Sequence, residues 1–284
     1  MNFVRESKQA VCSTGYREHG GAWIHETARL EDGVALDPGA VIGPDVRVGR
    51  GCRFGAGAVV YGPTELGPDN HVHAGAVIGG DPQDVGYRGE PTRLEIGSGN
   101  VFREGVTISR GSPKGNALTS IGNRNYFMAE SHAGHDSVIA DDCIFANAVL
   151  IAGHCAVHSG VNFAGGAAIV QFTTVGRLAF LGGMAGGRQD LEPFLVHDCV
   201  QGGLRSVPIA VNKVGLRRAG ISEDSIEKIR VAYKLLFRRK IRRIRPDEVR
   251  REVKQRGALS SEVEELLEFV ERKHAGHFGR QLSK

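Results

Sequence analysis

Four histidines fall within 27 residues of this chain: His132 and His135 in SHAGHDS, and His154 and His158 in IAGHCAVHS. An imidazole titrates near neutrality, so it can take a proton from a hydroxyl and return it within one turnover. Asp136 follows His135 directly and could orient the ring or stabilise its cation. Adjacent side chains on a strand point to opposite faces, so that pairing needs a turn to break the alternation. A single histidine here reads as a surface turn residue. Four together read as a cleft with a general base, or as histidine ligands for a zinc ion.

A six-residue rhythm positions them. From Ile24 an aliphatic or aromatic residue returns every sixth position through Ile78. The phase reappears at Ile96, Phe102 and Ile108, then runs unbroken from Ile121 to Leu181 over eleven hexads. Neither a helix nor an ordinary strand has this period; a parallel β-helix does, with three hexads to each coil. At 18 residues per coil, His135 and His154, 19 apart, belong on adjacent coils near one edge. Glycine is abundant, 40 of 284 residues, which suits the turns, and the few aromatics suit a narrow core of Val, Ile and Leu.

The expected organisation is an irregular N-terminal extension over 1–22, a β-helix over 23–187, and a connecting segment with a small helical domain over 188–284. Two Gly/Pro-rich stretches, 79–93 and 110–120, lose the rhythm and are expected to loop out. Such excursions from a rigid scaffold are where function concentrates. Pro193 and Pro208 predict irregular backbone after the hexads stop. Ser222 reads as the cap of a first helix, Pro246 as the first residue of a second, and Ser261 with Glu264 as the capping box of a third.

The formal net charge is +4, but Arg238, Arg239, Lys240, Arg242, Arg243 and Arg245 put six cations into eight residues. That run suits either a solvated helix end or a docking patch for an acidic partner. No nucleic-acid reader motif accompanies it, so nucleic acid is not expected as a partner. Five cysteines, an odd number without CxxC spacing, suit reduced thiols in the cytoplasm. The first residues lack the apolar core of a secretory leader, and no apolar run approaches the ~20 residues of a membrane span.

Several strings resemble the acyl-carrier-protein–UDP-N-acetylglucosamine O-acyltransferases that begin lipid A synthesis. They are IGGDPQDVGYRGEPTRLEIG (Ile78–Gly97), REGVTISRG (Arg103–Gly111), SHAGHDS, IAGH, QF (Gln171–Phe172), VNKVGLRRAGIS (Val211–Ser222) and IRVAYKLLFR (Ile229–Arg238). The resemblance implies a left-handed β-helix and a homotrimer with active sites between neighbouring chains, without cofactor or metal. It implies His135 as general base, Asp136 as its support and the Gly153 N–H as oxyanion donor. It places Asp84, His132, His154 and Gln171 on the sugar nucleotide or the cleft wall, Asn212 and Arg218 near the nucleotide, and Gly183 where acyl length is limited. The basic run would then dock the acidic acyl carrier protein. Four positions depart from the family pattern: Gly86 replaces a lysine, Val170 a histidine, Val214 an acidic residue and Ala219 an arginine. These departures leave a different nucleotide sugar open, including a 3-amino sugar. The histidines also leave open a zinc-dependent hydratase like the γ-class carbonic anhydrases.

Overall fold

The computed structural model describes residues 15–199, 206–238, 245–255, 257 and 259–283. The hexads fold into a left-handed parallel β-helix whose three faces are sheets of ten, ten and eight strands among those residues. Each strand contributes one inward side chain, which stacks on its copy in the next coil. On the first face Ile78 pairs with Ile108, then Ala133, Ile151 and Ile169. The second face carries Leu66, Ile96, Ile121, Ile139 and Val157 in the same way.

The third face departs from the expected aliphatic core. Phe102, Phe127, Phe145 and Phe163 are fully buried and stack with ring centroids 5.1, 4.2 and 5.2 Å apart. The coil repeat, near 4.8 Å, is also a good spacing for offset parallel rings, so one wall of the core can be aromatic throughout.

Both excursions leave the corner between the first and second faces. One connects Val77–Gly80 to Arg93–Ile96; the other connects Thr107–Ser109 to Leu118–Ile121. Arg110, buried, ties them together by donating to the Gly79 carbonyl at 2.6 Å and to the Asp81 carboxylate. The next coils turn the same corner at 134–137 and 152–155, so both loops stand beside His135 and His154.

Two terminal segments are more ordered than the sequence suggests. Tyr16–His19 pairs antiparallel with Ala22–His25 at the start of the first face. Around Pro193 and Pro208 the described residues are largely regular: Leu191 still bridges Val175 in parallel, and Leu195–Cys199 pairs antiparallel with Ser206–Val211. Pro208 is tolerated because its strand is the outermost of the sheet, where a missing N–H costs no ladder bond.

Helices α1 (Lys213–Arg218), α2 (Glu223–Tyr233), α3 (Pro246–Lys254) and α4 (Ser261–Ala275) follow, with a π-helical turn over Lys234–Arg238. Ser222 caps α2 and Pro246 opens α3. The cap of α4 is Ser260 rather than Ser261, its hydroxyl accepting from the Val263 N–H. Sequence reading misses α1, whose six residues are too few to show a period. A second core joins Leu216, Ile229, Val249, Val263 and Leu267 to Phe194 and Leu195 at the end of the β-helix. Lys273 on α4 reaches the buried Glu192 carboxylate at 2.7 Å, and Arg177 meets Glu265 at 2.8 Å. Of the basic run, Arg238 ends the π-helical turn and Arg245 precedes α3; Arg239, Lys240, Arg242 and Arg243 lie outside the described residues.

Candidate active site

His135 and Asp136 sit at the corner shared with the two excursions, and both are buried. Asp136 has φ near +59°, the left-handed turn conformation that breaks strand alternation. Its carboxylate therefore swings round to the His135 ring, with Oδ2 2.8 Å from Nδ1. Nδ1–H donating to the carboxylate leaves Nε2 as the ring's acceptor. The second excursion holds the carboxylate from its other side, since the Ser112 N–H lies 3.0 Å from both oxygens. Gly115 permits this approach: a Cβ there would lie 2.3 Å from Oδ1. The Asp136 N–H donates to the Thr119 hydroxyl at 2.8 Å.

The next coil supplies the facing wall. Gly153 lies against the imidazole so closely that a Cβ would meet Cε1, Nε2 and Nδ1 at 2.7, 2.8 and 3.0 Å. The Gly153 N–H has no hydrogen-bond acceptor among the described residues. His154 meets His135 edge to face, with centroids 4.9 Å apart, and stacks on Phe172 at 4.8 Å. Burial lowers the pKa of His154 despite the nearby Asp136 charge. It also lowers that of His132, whose Nδ1 lies 2.7 Å from the Thr107 hydroxyl. Both rings are neutral hydrogen-bonding groups at neutral pH.

His132, His135 and Gly153 open onto a cleft of about 910 Å³. Gln83, His132, His135, Gly153 and Gln171 line it, with an apolar stretch of Leu150, Ala168 and Val170. Asp84 stands on the first excursion, where its Oδ1 accepts from the Gly86 N–H and from Lys114 Nζ, each at 2.8 Å. The Lys114 hydrogen bond, then that of Gly86, holds the Asp84 carboxyl below the usual range. Arg280, from the C-terminal segment, also lines the cleft and donates to the Gln171 carbonyl at 3.0 Å.

Asn212 and Arg218 line a second cavity of about 730 Å³ that shares no residue with the first. Val214 and Ala219 line it too, so two of the departures fall on this wall. Asn212 also serves the fold locally, since it caps α1 through Gly215 and donates to the Leu178 carbonyl at 2.9 Å. His158 and Gly183 sit at other corners, exposed and outside both cavities. Sequence reading brings His135, Asp136, Gly153 and His154 together as the structure does. It misses Ser112 and Gly115, which close on the Asp136 carboxylate, Lys114, which pairs with Asp84, and Arg280, which lines the cleft; all four lie on segments without a period.

His135, Asp136 and His154 are also the one group whose ligand atoms, within 4.8 Å of one another, could hold a metal ion among the described residues. Nδ1 of His135 and Oδ2 of Asp136 already bond directly to each other, which suits proton transfer better than shared ligation.

The hexapeptide coils, with an imidazole–carboxylate pair beside an open cleft, place the chain among the hexapeptide-repeat proteins. Residues 27–62 match the bacterial transferase hexapeptide model, and residues 193–278 match the model described as UDP N-acetylglucosamine O-acyltransferase, domain 2. An acyl-[acyl-carrier-protein]–UDP-N-acetylglucosamine O-acyltransferase from an Anaeromyxobacter species is 46% identical over 62% of this chain and 67% of its own length. One from Gloeothece citriformis is 42% identical over 63% of each. The alignments thus span about two thirds of these curated relatives. Solved UDP-N-acetylglucosamine acyltransferases extend the likeness. That of Bacteroides fragilis superposes with a TM-score of 0.82 at 29% identity, over 89% of this chain and 96% of the other. That of Moraxella catarrhalis gives 0.67 at 32%, over 86% and 95%. The chain belongs to the UDP-N-acetylglucosamine O-acyltransferase family.

Proposed function

We propose that this chain moves a 3-hydroxyacyl group from acyl carrier protein to the glucosamine 3-hydroxyl of UDP-N-acetylglucosamine, the first step of lipid A synthesis. The observation that carries the mechanism is the His135 ring, which lines the cleft and is fixed at Nδ1 by buried Asp136, leaving Nε2 as its acceptor. Nε2 takes the proton of the 3-hydroxyl as that oxygen attacks the thioester carbonyl carbon. The Gly153 N–H donates to the oxyanion of the tetrahedral intermediate, and Asp136 stabilises the imidazolium. The C–S bond then breaks, and the imidazolium returns its proton to the departing thiolate of the carrier protein. His132, His154, Asp84 and Gln171 hold the sugar, and the apolar stretch at Leu150 and Val170 offers the start of an acyl path.

We propose further that the working unit is a cytoplasmic homotrimer. Separation of the Asn212–Arg218 cavity from the His135 cleft supports it: a neighbouring chain would bring its nucleotide side to this chain's base. Arg218 then meets the diphosphate, and Arg238 and Arg245 belong to the surface that docks the carrier protein. The buried thiols of Cys143 and Cys155, each pushed up to about 12 by burial, suit a reducing compartment. Gly183 remains the proposed point where acyl length is set.

The test is complementation. His135→Ala and Arg218→Ala chains are each expected to be nearly inactive. Mixed trimers reassembled from both should recover activity, because some clefts then combine an intact His135 with a neighbour's intact Arg218. Recovery absent from correctly assembled mixed trimers would refute the shared site, and an active His135→Ala trimer would refute the base.

A further inference from the structure

We propose that Lys114, on the second excursion, is a substrate-binding residue of the catalytic cleft: with Asp84 it forms a donor–acceptor pair that grips the hydroxyl-bearing sugar of the acceptor beside His135. The inference rests on the function proposed above and adds a residue to it. Asp84 is largely covered, with its side chain 11% exposed, whereas that of Lys114 is 61% exposed. Of the three N–H donors on the ammonium, Asp84 takes one at 2.8 Å, and no other partner stands among the described residues. The remaining donors are open to a ligand.

The loop of Lys114 is held in place for a separate reason, because Ser112, two residues earlier, clasps the Asp136 carboxylate. The lysine is therefore mounted on the segment that orients the base.

Gly86 makes the arrangement possible. A Cβ at that position would lie 2.8 Å from Lys114 Nζ and 3.1 Å from Cε. The head of Lys114 thus fills the space that a side chain on residue 86 would take. The first excursion provides the carboxylate without a cation beside it, and the second provides the cation. A carboxylate accepts from one sugar hydroxyl while an ammonium donates to a neighbouring oxygen, a pairing suited to a polyhydroxylated ring.

The experiment measures affinity for UDP-N-acetylglucosamine by calorimetry, alongside turnover and melting temperature, in the full-length protein. Lys114→Ala and Lys114→Met are expected to weaken binding about 10- to 100-fold with little change in melting temperature. Adding Gly86→Lys to Lys114→Ala should recover at least part of that loss: residue 86 does not need a positive φ, truncating Lys114 removes the two nearest contacts of a new Cβ, and the remaining one, Asp84 Oδ1 at 3.2 Å, needs a shift of only a few tenths of an ångström. Unchanged affinity in Lys114→Ala would overturn the inference. So would a loss matched by a lowered melting temperature and not recovered by Gly86→Lys, which would make the lysine a loop clasp. If the unaltered protein binds the nucleotide sugar but does not acylate it, the proposed reaction fails while the affinity series still decides the role of Lys114.

Discussion

Replacing Gly153 by alanine is a sharp test of the cleft because the perturbation can be worked out atom by atom. The added methyl would stand 2.7–3.0 Å from three atoms of the His135 ring. Ordinary carbon contacts lie at about 3.5–4.0 Å, so the two groups must separate by about 1 Å. The Gly153 backbone is fixed by the coil, while the imidazole is a side chain lining the cleft, so the ring moves. The bond from Nδ1 to Asp136 starts at 2.8 Å and does not survive a shift of that size with good geometry. A 1 Å error in a catalytic group costs about 10²-fold, or roughly 3 kcal/mol of transition-state stabilisation. The fold loses less, about 1–3 kcal/mol, because the clash is relieved by movement into the cleft. Steady-state assays with both substrates saturating should show kcat down about 10²-fold, with the acceptor KM changed far less and the assembly intact. A Gly153→Ala enzyme with kcat within twofold of the parent would refute the contact and the positioning argument built on it.

Three further outcomes follow from the joint between the β-helix and α4. Lys273→Met leaves the Glu192 carboxylate buried without its ammonium partner and should cost about 3–5 kcal/mol in denaturant unfolding. Burial alone would raise the pKa of Glu192, and the charge of Lys273 outweighs it to keep the group ionised. Adding Glu192→Gln to Lys273→Met should return part of the loss; strict additivity of the two changes would contradict their coupling. Asp190 behaves oppositely: burial pushes its carboxyl up to about 6 from 3.8, against hydrogen bonds from the Gln281 and Thr174 N–H groups. A raised folded value means that the folded state holds the proton longer. Its stabilising contribution is complete below pH 3.8 and lost as pH rises to about 6, roughly 3 kcal/mol in all. Unfolding measured from pH 4 to 7 should show that decline in the parent and a flatter profile in Asp190→Asn; parallel profiles would refute it.

The sequence exposes what repeats and hides what does not. An unbroken hexad from Ile121 to Leu181 determines the coil, and 18 residues per coil puts His135 and His154 on one edge before any coordinates are known. The same periodicity cannot report ring stacking, so the Phe102–Phe163 ladder is a finding of the structure. It also says nothing about what enters a site from outside the array. Ser112, Lys114 and Gly115 arrive on an aperiodic excursion, and Arg280 reaches the Gln171 carbonyl across 109 residues of sequence. Asn212 shows the converse: a motif match identifies the residue, while only the structure reveals that its side chain already caps α1. The strand at Ser206–Val211 is hidden because proline argues against strands in general, and only its place at the sheet edge makes Pro208 harmless.

The central claim is that His135, held by Asp136, drives acyl transfer to a nucleotide sugar. Its most direct test is to incubate the purified protein with 3-hydroxyacyl carrier proteins of several chain lengths and either UDP-N-acetylglucosamine or its 3-amino analogue, and to weigh the products. An ester of UDP-N-acetylglucosamine is expected from the parent enzyme and none from His135→Ala. Product only with the amino analogue would contradict the proposed acceptor, and undiminished product from a folded His135→Ala trimer would contradict the mechanism itself.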